Sequence, residues 1–187
     1  KRKIPFAVLY GNHDDMNCIE KAEQSEIYGS YSSCIGSGSD IGAGCGTYDI
    51  PIMSSDGCKR AFTVWMLDSA GKYADGSRYT TVSRDKIDWM LRRNKEIQKD
   101  FGVLPSFVFQ HVPIPETVRL IRECKRTPES IEHDGHFYEL DPEKARGFLG
   151  EYPDVCSEDV GEFKAFCEMG GVLAAVAGHD HLNCFEG

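Results

Sequence analysis

Four short apolar runs punctuate the chain: Ile4–Tyr10 (IPFAVLY), Phe62–Leu67 (FTVWML), Ser106–Phe109 (SFVF) and Val172–Ala177 (VLAAVA). Each has strand length and is either rich in β-branched or aromatic residues or bounded by Gly or Pro. Their near-continuous apolar character predicts strands covered on both faces. Helical periodicity lies between them. Arg84–Phe101 sets Ile87, Met90, Leu91, Ile97 and Phe101 on one stripe of 3.6-residue period. Ser83 is placed to cap that helix, Asp85 suits its positive first turn and Gly102 ends it. Val160–Met169 repeats the plan, with Ser157 as cap, Phe163, Phe166 and Cys167 on the buried face and Gly170-Gly171 as the stop. A first helix is predicted over Asn17–Tyr28. Strands alternating with helices predict an α/β layered fold.

Two stretches do not fit a minimal α/β unit. Gly29–Gly57 is dense in Gly and Ser, and Glu116–Lys144 is polar, with Pro128 and His133-Asp134-Gly135-His136. Both are expected to be irregular loop insertions that shape a site. Gly42-x-Gly44-x-Gly46 neither follows a strand nor opens a helix, so a hairpin leading to Tyr48-Asp49-Ile50 is preferred to a phosphate loop.

Length and composition narrow the class. At 187 residues with 27% charged side chains, the chain is expected to form a single domain, 1–187, with an ordinary core. Lys and Arg number 21 against 30 Asp and Glu, a net charge of −9. That surface repels a phosphate backbone and argues against a duplex nucleic-acid partner. A cleft holding divalent cations can still be locally positive, so a small phosphorylated substrate stays open. No apolar run reaches the roughly 18 residues of a membrane span. Lys1-Arg2-Lys3 before Ile4–Tyr10 mimics a signal peptide, but Gly11-Asn12-His13-Asp14-Asp15 stands where a small-residue cleavage site belongs. None of the eight cysteines forms a Cys-x-x-Cys pair, which argues against a zinc ribbon or thioredoxin motif. Free thiols in a reducing compartment are preferred, slightly favouring the cytoplasm, with secretion left open.

The candidate chemistry sits at the ends of the apolar runs. The first closes on Gly11-Asn12-His13, the third on Gln110-His111 and the fourth on Gly178-His179-Asp180-His181, so four of the six histidines lie there. Strand carboxyl ends share one rim in an open α/β sheet, and ligands bind at that rim. Neutral imidazoles and an amide oxygen suit zinc, iron or manganese. Asp68 also ends a strand and reads equally as a pocket residue or a turn cap. His133 and His136 read as surface residues.

Gly11-Asn12-His13-Asp14, the strand-terminal His111 and Gly178-His179-Asp180-His181 resemble the last three of five motifs of calcineurin-like metallophosphoesterases, in the same order. LDSAG, FQHVPIPE and GHDHLN are similar to the branch with plant purple-acid-phosphatase-like proteins, a yeast cell-cycle phosphatase and bacterial relatives. The resemblance implies an αββα sandwich, of which this chain would hold part, and a dinuclear site of two divalent or trivalent ions (Mn, Zn or Fe). Asn12, His111 and His179 would bind one metal and His181 the other. His13 would be the general acid or transition-state donor, and Asp14 would steady its loop. Two cations roughly 3.5–4 Å apart would activate a bridging hydroxide for attack on a phosphoester. The substrate would be a phosphorylated small molecule or phosphoprotein.

The family's first two motifs, Asp-x-His and Gly-Asp-x-x-Asp, do not stand ahead of Gly11-Asn12-His13-Asp14 and would precede Lys1. The chain is therefore expected to be truncated at both ends and, in isolation, weakly active or inactive. All four candidate ligands are neutral, whereas two divalent ions want carboxylate oxygen. Two other readings remain: a non-catalytic binding or regulatory module that keeps the fold, and a mononuclear zinc hydrolase using His111, His179 and His181 with Asp180 as base.

Overall fold

The computed structural model describes residues 3–16, 18–36, 44–69, 82–156 and 158–187, and the fold is mixed α/β. In chain order the elements are β1 (Phe6–Ala7), a 3-10 turn at Asp14–Met16, α1 (Lys21–Gly29), β2 (Cys34–Gly36), β3 (Tyr48–Met53) and β4 (Arg60–Leu67). They continue with α2 (Arg84–Phe101), β5 (Ser106–Gln110), a 3-10 turn at Pro115–Leu120, β6 (Ile121–Cys124), β7 (Ile131–His133) and β8 (His136–Leu140). The last four are β9 (Arg146–Phe148), α3 (Glu162–Met169), β10 (Val172–Val176) and β11 (Cys184–Glu186). Among the described residues, no helix is long and apolar enough to cross a membrane.

The main sheet has the order β10-β5-β4-β3, with β10, β5 and β4 parallel and β3 antiparallel to β4. Period-2 alternation divides its two faces. Trp65, Leu67 and Val108 are fully buried in one cluster with Ile87, Met90 and Ile97 of α2 and Phe166 and Met169 of α3. Trp65 and Trp89 meet edge to face at 6.1 Å and 87°, a preferred aromatic geometry. The opposite face carries Tyr48, Ile50 and Met66 in a smaller cluster with Ala7 and Leu9.

Helix α2 has the predicted bounds. Ser83 stands at its N-cap but makes no capping bond to the backbone; its hydroxyl pairs with the Asp85 carboxylate instead. Gly102 ends the helix at φ 73°, a conformation that costs a Cβ-bearing residue. The other helices are shorter than expected. Helix α1 starts at Lys21, because the chain before it turns at Asp14–Met16 and the Gln24 amide donates to Asp14 O and Ile19 O. Helix α3 starts at Glu162, because Gly161 takes a left-handed φ of 78°; Ser157, its expected cap, lies outside the described residues, as do Gly42 and part of the first insertion.

Three expectations are corrected. Of Ile4–Tyr10 only Phe6–Ala7 is strand, and it pairs in parallel with β2 rather than joining the main sheet. Pro5 has no N–H to extend that ladder. The Tyr48 hydroxyl fastens this pair to β3, accepting from Val8 N at 3.0 Å and lying 2.6 Å from Val8 O and 2.8 Å from Gly36 O. The two supposed irregular insertions carry strands: 29–57 contains β2 and β3, and 116–144 folds into the antiparallel sheet β6-β8-β7. Coverage on both faces fails at β10, an edge strand with Leu173 66% exposed.

Candidate functional site

Because β4, β5 and β10 run parallel, Leu67 pairs with Gln110 and Val176 with Phe109, and the strands end on one rim. Asp68, His111 and His179 lie just beyond that rim. Gly178 N–H donates to His111 O at 3.1 Å, tying the two exits together. Gly11-Asn12, which follows β1, reaches the same place. A Cβ built on Gly11 would stand 3.1 Å from the His111 ring, so glycine lets the backbone lie against the imidazole.

The structure brings Asn12, His111 and His179 together. Asn12 Oδ1 is 2.8 Å from His111 Nε2, which is 3.2 Å from His179 Nδ1. The two rings meet edge to face with centroids 5.0 Å apart. Asn12 and His179 are buried. Each of the three atoms offers a lone pair unless a ring nitrogen holds a proton. Metal–nitrogen and metal–oxygen bonds of about 2.0–2.1 Å would set neighbouring ligand atoms about 2.9–3.4 Å apart, close to the spacing observed. The Asn12 amide oxygen faces the His111 ring, and its buried Nδ2 has no hydrogen-bond partner among the described residues. Burial, followed by the positive charge of a protonated His179, pushes the His111 pKa below the usual imidazole value; His13 and His181 act in the same direction and Asp14 against it. The neutral ring, the form that binds a cation, is thereby favoured.

The other predicted residues stand around this cluster. His181 is exposed beyond His179, near enough for its charge to bear on His111. His13 is exposed with Nδ1 3.1 Å from Met16 Sδ. Asp14 Oδ2 accepts Gly11 N–H at 2.6 Å, which folds the Asn12-His13 loop back on itself. Among the described residues, no three His, Cys, Asp or Glu side chains converge closely enough to hold a metal by themselves. The converging set is two imidazoles and an amide.

Sequence reasoning missed the groups that hold the cluster in place. The buried Ser69 hydroxyl accepts His111 N–H at 3.0 Å and Val112 N–H at 2.9 Å, fixing the exit of β5. Asp68, next to it, is ion-paired to Lys21 at 3.1 Å and to Lys86 at 3.0 Å, and its N–H donates to Thr47 Oγ1 at 3.2 Å. Asp68 is therefore a tie between α1, α2 and β4. Behind β5, burial pushes the Glu162 carboxyl up to about 8. The Gln110 side chain beside it offsets part of that rise without a hydrogen bond of normal geometry, and Glu116 and Asp159 add to it. Asp154 also touches the cluster, through His179. A cavity of about 200 Å³ opens beside His111, walled by Leu9, Tyr10, Phe109 and Val176.

No protein-family profile matches the chain, and no solved structure matches it significantly. Curated relatives match across nearly its whole length. An uncharacterized protein of Schizosaccharomyces pombe is 24% identical over 191 residues, covering 98% of this chain and 30% of the relative. A protein of Arabidopsis thaliana named "Probable inactive purple acid phosphatase 29" is 22% identical, covering 99% of this chain and 48% of its own length. "Phosphatase DCR2" of Saccharomyces cerevisiae is 26% identical, covering 97% of this chain and 30% of its own length. The chain thus spans from 30% to 48% of the length of these relatives.

Proposed function

We propose that this chain carries the amide and imidazole ligands of a metal-dependent phosphoesterase of the calcineurin-like type, within a domain of the αββα sandwich kind. The observation that carries this reading is the approach of three lone-pair atoms, Asn12 Oδ1, His111 Nε2 and His179 Nδ1, to spacings of 2.8 and 3.2 Å on a strand-end rim. The relatives named as phosphatases support the same class of chemistry. When bound, a pair of Mn, Zn or Fe ions would acidify water and offset the charge of phosphoryl oxygens. Asn12, His111 and His179 hold one ion and His181 contributes to the second. The exposed His13 protonates or stabilises the leaving oxygen, and Asp14 steadies its loop through Gly11. A neutral donor set leaves the charge of two divalent ions uncompensated, so carboxylate ligands from beyond these four residues complete the site.

The test is metal content and hydrolysis of p-nitrophenyl phosphate and its bis-ester by the full-length protein with manganese, zinc or iron added. Two ions per chain, with turnover that falls about 10²–10⁴-fold in His13→Ala while the metals remain, is the expected result. One ion per chain would overturn the dinuclear arrangement. A second reading, a binding module without turnover, is favoured by the word "inactive" in the name of a plant relative. Metal binding without hydrolysis of any ester would select it.

A further inference from the structure

We infer that Asp154 is a positioning residue that fixes the tautomer and orientation of His179. The two nitrogens of this buried ring face different partners. Nδ1 is 3.2 Å from His111 Nε2, inside the cluster, and Nε2 is 3.4 Å from Asp154 Oδ2, outside it. A neutral imidazole carries one N–H, and a carboxylate can only accept. The proton therefore belongs on Nε2, donated to Asp154, which leaves the Nδ1 lone pair facing His111 Nε2. The opposite tautomer would set a lone pair against a carboxylate and drive a proton into the cluster. A carboxylate behind a metal-binding imidazole acts in this way, setting which nitrogen is free and raising its basicity.

The chain fixes Asp154 deliberately. Pro153, just before it, is fully buried and anchors the segment. Asp154 N–H donates to Asp180 Oδ1 at 3.1 Å, and Asp180 Oδ2 accepts from Asn183 Nδ2 at 3.1 Å. Asn183 Oδ1 in turn accepts Gly150 N–H at 3.0 Å and Glu151 N–H at 3.1 Å, while Glu151 Oε1 accepts Leu182 N–H at 2.7 Å. Segments 150–154 and 180–183 are thus laced together on both sides of His179. Asp180, which sequence reasoning offered as a base, uses its carboxylate in this lacing.

The tautomer follows from the metal-free geometry alone, whereas its purpose rests on the metal reading above. Long-range ¹H–¹⁵N spectra of the metal-free protein at about pH 8, where imidazoles are neutral, read the two apart. Wild-type protein should show His179 with the proton on Nε2. Asp154→Ala should give a tautomer mixture, and Asp154→Asn, whose amide oxygen still accepts, should largely restore Nε2–H. The Asp154 side chain is 60% exposed, so its replacement leaves the core untouched. Zinc affinity should fall about 10–100-fold in Asp154→Ala and less in Asp154→Asn. A wild-type proton on Nδ1, or an unchanged tautomer in Asp154→Ala, would overturn the inference. The expected tautomers in a protein that binds no zinc would instead sink the metal reading and leave the positioning role standing.

Discussion

Two histidine pairs in this protein make opposite use of the same side chain. His133 and His136 are three residues apart on one hairpin, exposed; the first stacks on Tyr152 at 3.9 Å and the second lies 2.9 Å from Glu123 Oε1. His111 and His179 are 68 residues apart, yet lie 3.2 Å apart at a strand-end rim beside an amide oxygen. The antiparallel hairpin leaves its two imidazoles apart on the surface, and the parallel pairing of β5 and β10 brings His111 and His179 together. The backbone decides which imidazoles share lone-pair space.

The largest effect separates the two pairs directly. His179→Ala should lower zinc affinity at least about 100-fold by calorimetry, as expected for removal of one of three ligands. His133→Ala and His136→Ala should stay within about twofold, since exposed ion pairs contribute about 0–1 kcal/mol to stability and nothing to the cluster.

A second difference concerns what stands behind each pair. The hairpin histidines are exposed, whereas β5 ends on Gln110 with the buried Glu162 behind it. With its carboxyl raised from 4.5 to about 8, Glu162 is neutral in the folded chain while the unfolded chain is already ionised. Stability should therefore fall as pH rises from about 4.5 to 8 and level off above that. Glu162→Gln should match wild type near pH 4 and exceed it by roughly 2–5 kcal/mol near pH 9 in urea unfolding. Equal pH slopes in the two proteins would contradict the burial argument.

Smaller effects probe the fastening of His111. Ser69→Ala strands two backbone N–H groups and should cost about 1–3 kcal/mol. Zinc affinity should fall with it, and Ser69→Thr should recover part of both. Gly11→Ala presses a methyl to 3.1 Å from the His111 ring, which should weaken zinc binding a few-fold with little change in unfolding midpoint.

The contrast also explains what was readable in the chain. Helix α2 was readable to the residue, because an apolar stripe, an acidic first turn and a stop glycine all agreed. The meeting of His111 and His179 followed from strand-end placement, since β5 and β10 are parallel, whereas Asn12 joins them from a segment outside that sheet. The sheet β6-β8-β7 replaces the irregular loop expected over 116–144, although Asp134-Gly135, with φ of 51° and 80°, is a strong tight-hairpin signal. Ser69, Thr47 and Asp154 left no such trace: a hydroxyl or carboxylate that accepts across a rim has no periodicity, and its role appears only when distant strands are in register.

X-ray absorption at the zinc edge, on protein loaded with one equivalent of zinc, reads the donor set of the Asn12-His111-His179 cluster itself. Nitrogen and oxygen neighbours at about 2.0–2.1 Å with scattering from two imidazoles are expected, reduced to one in His179→Ala. A shell dominated by sulfur near 2.3 Å, which would place the ion on the cysteines, would contradict it.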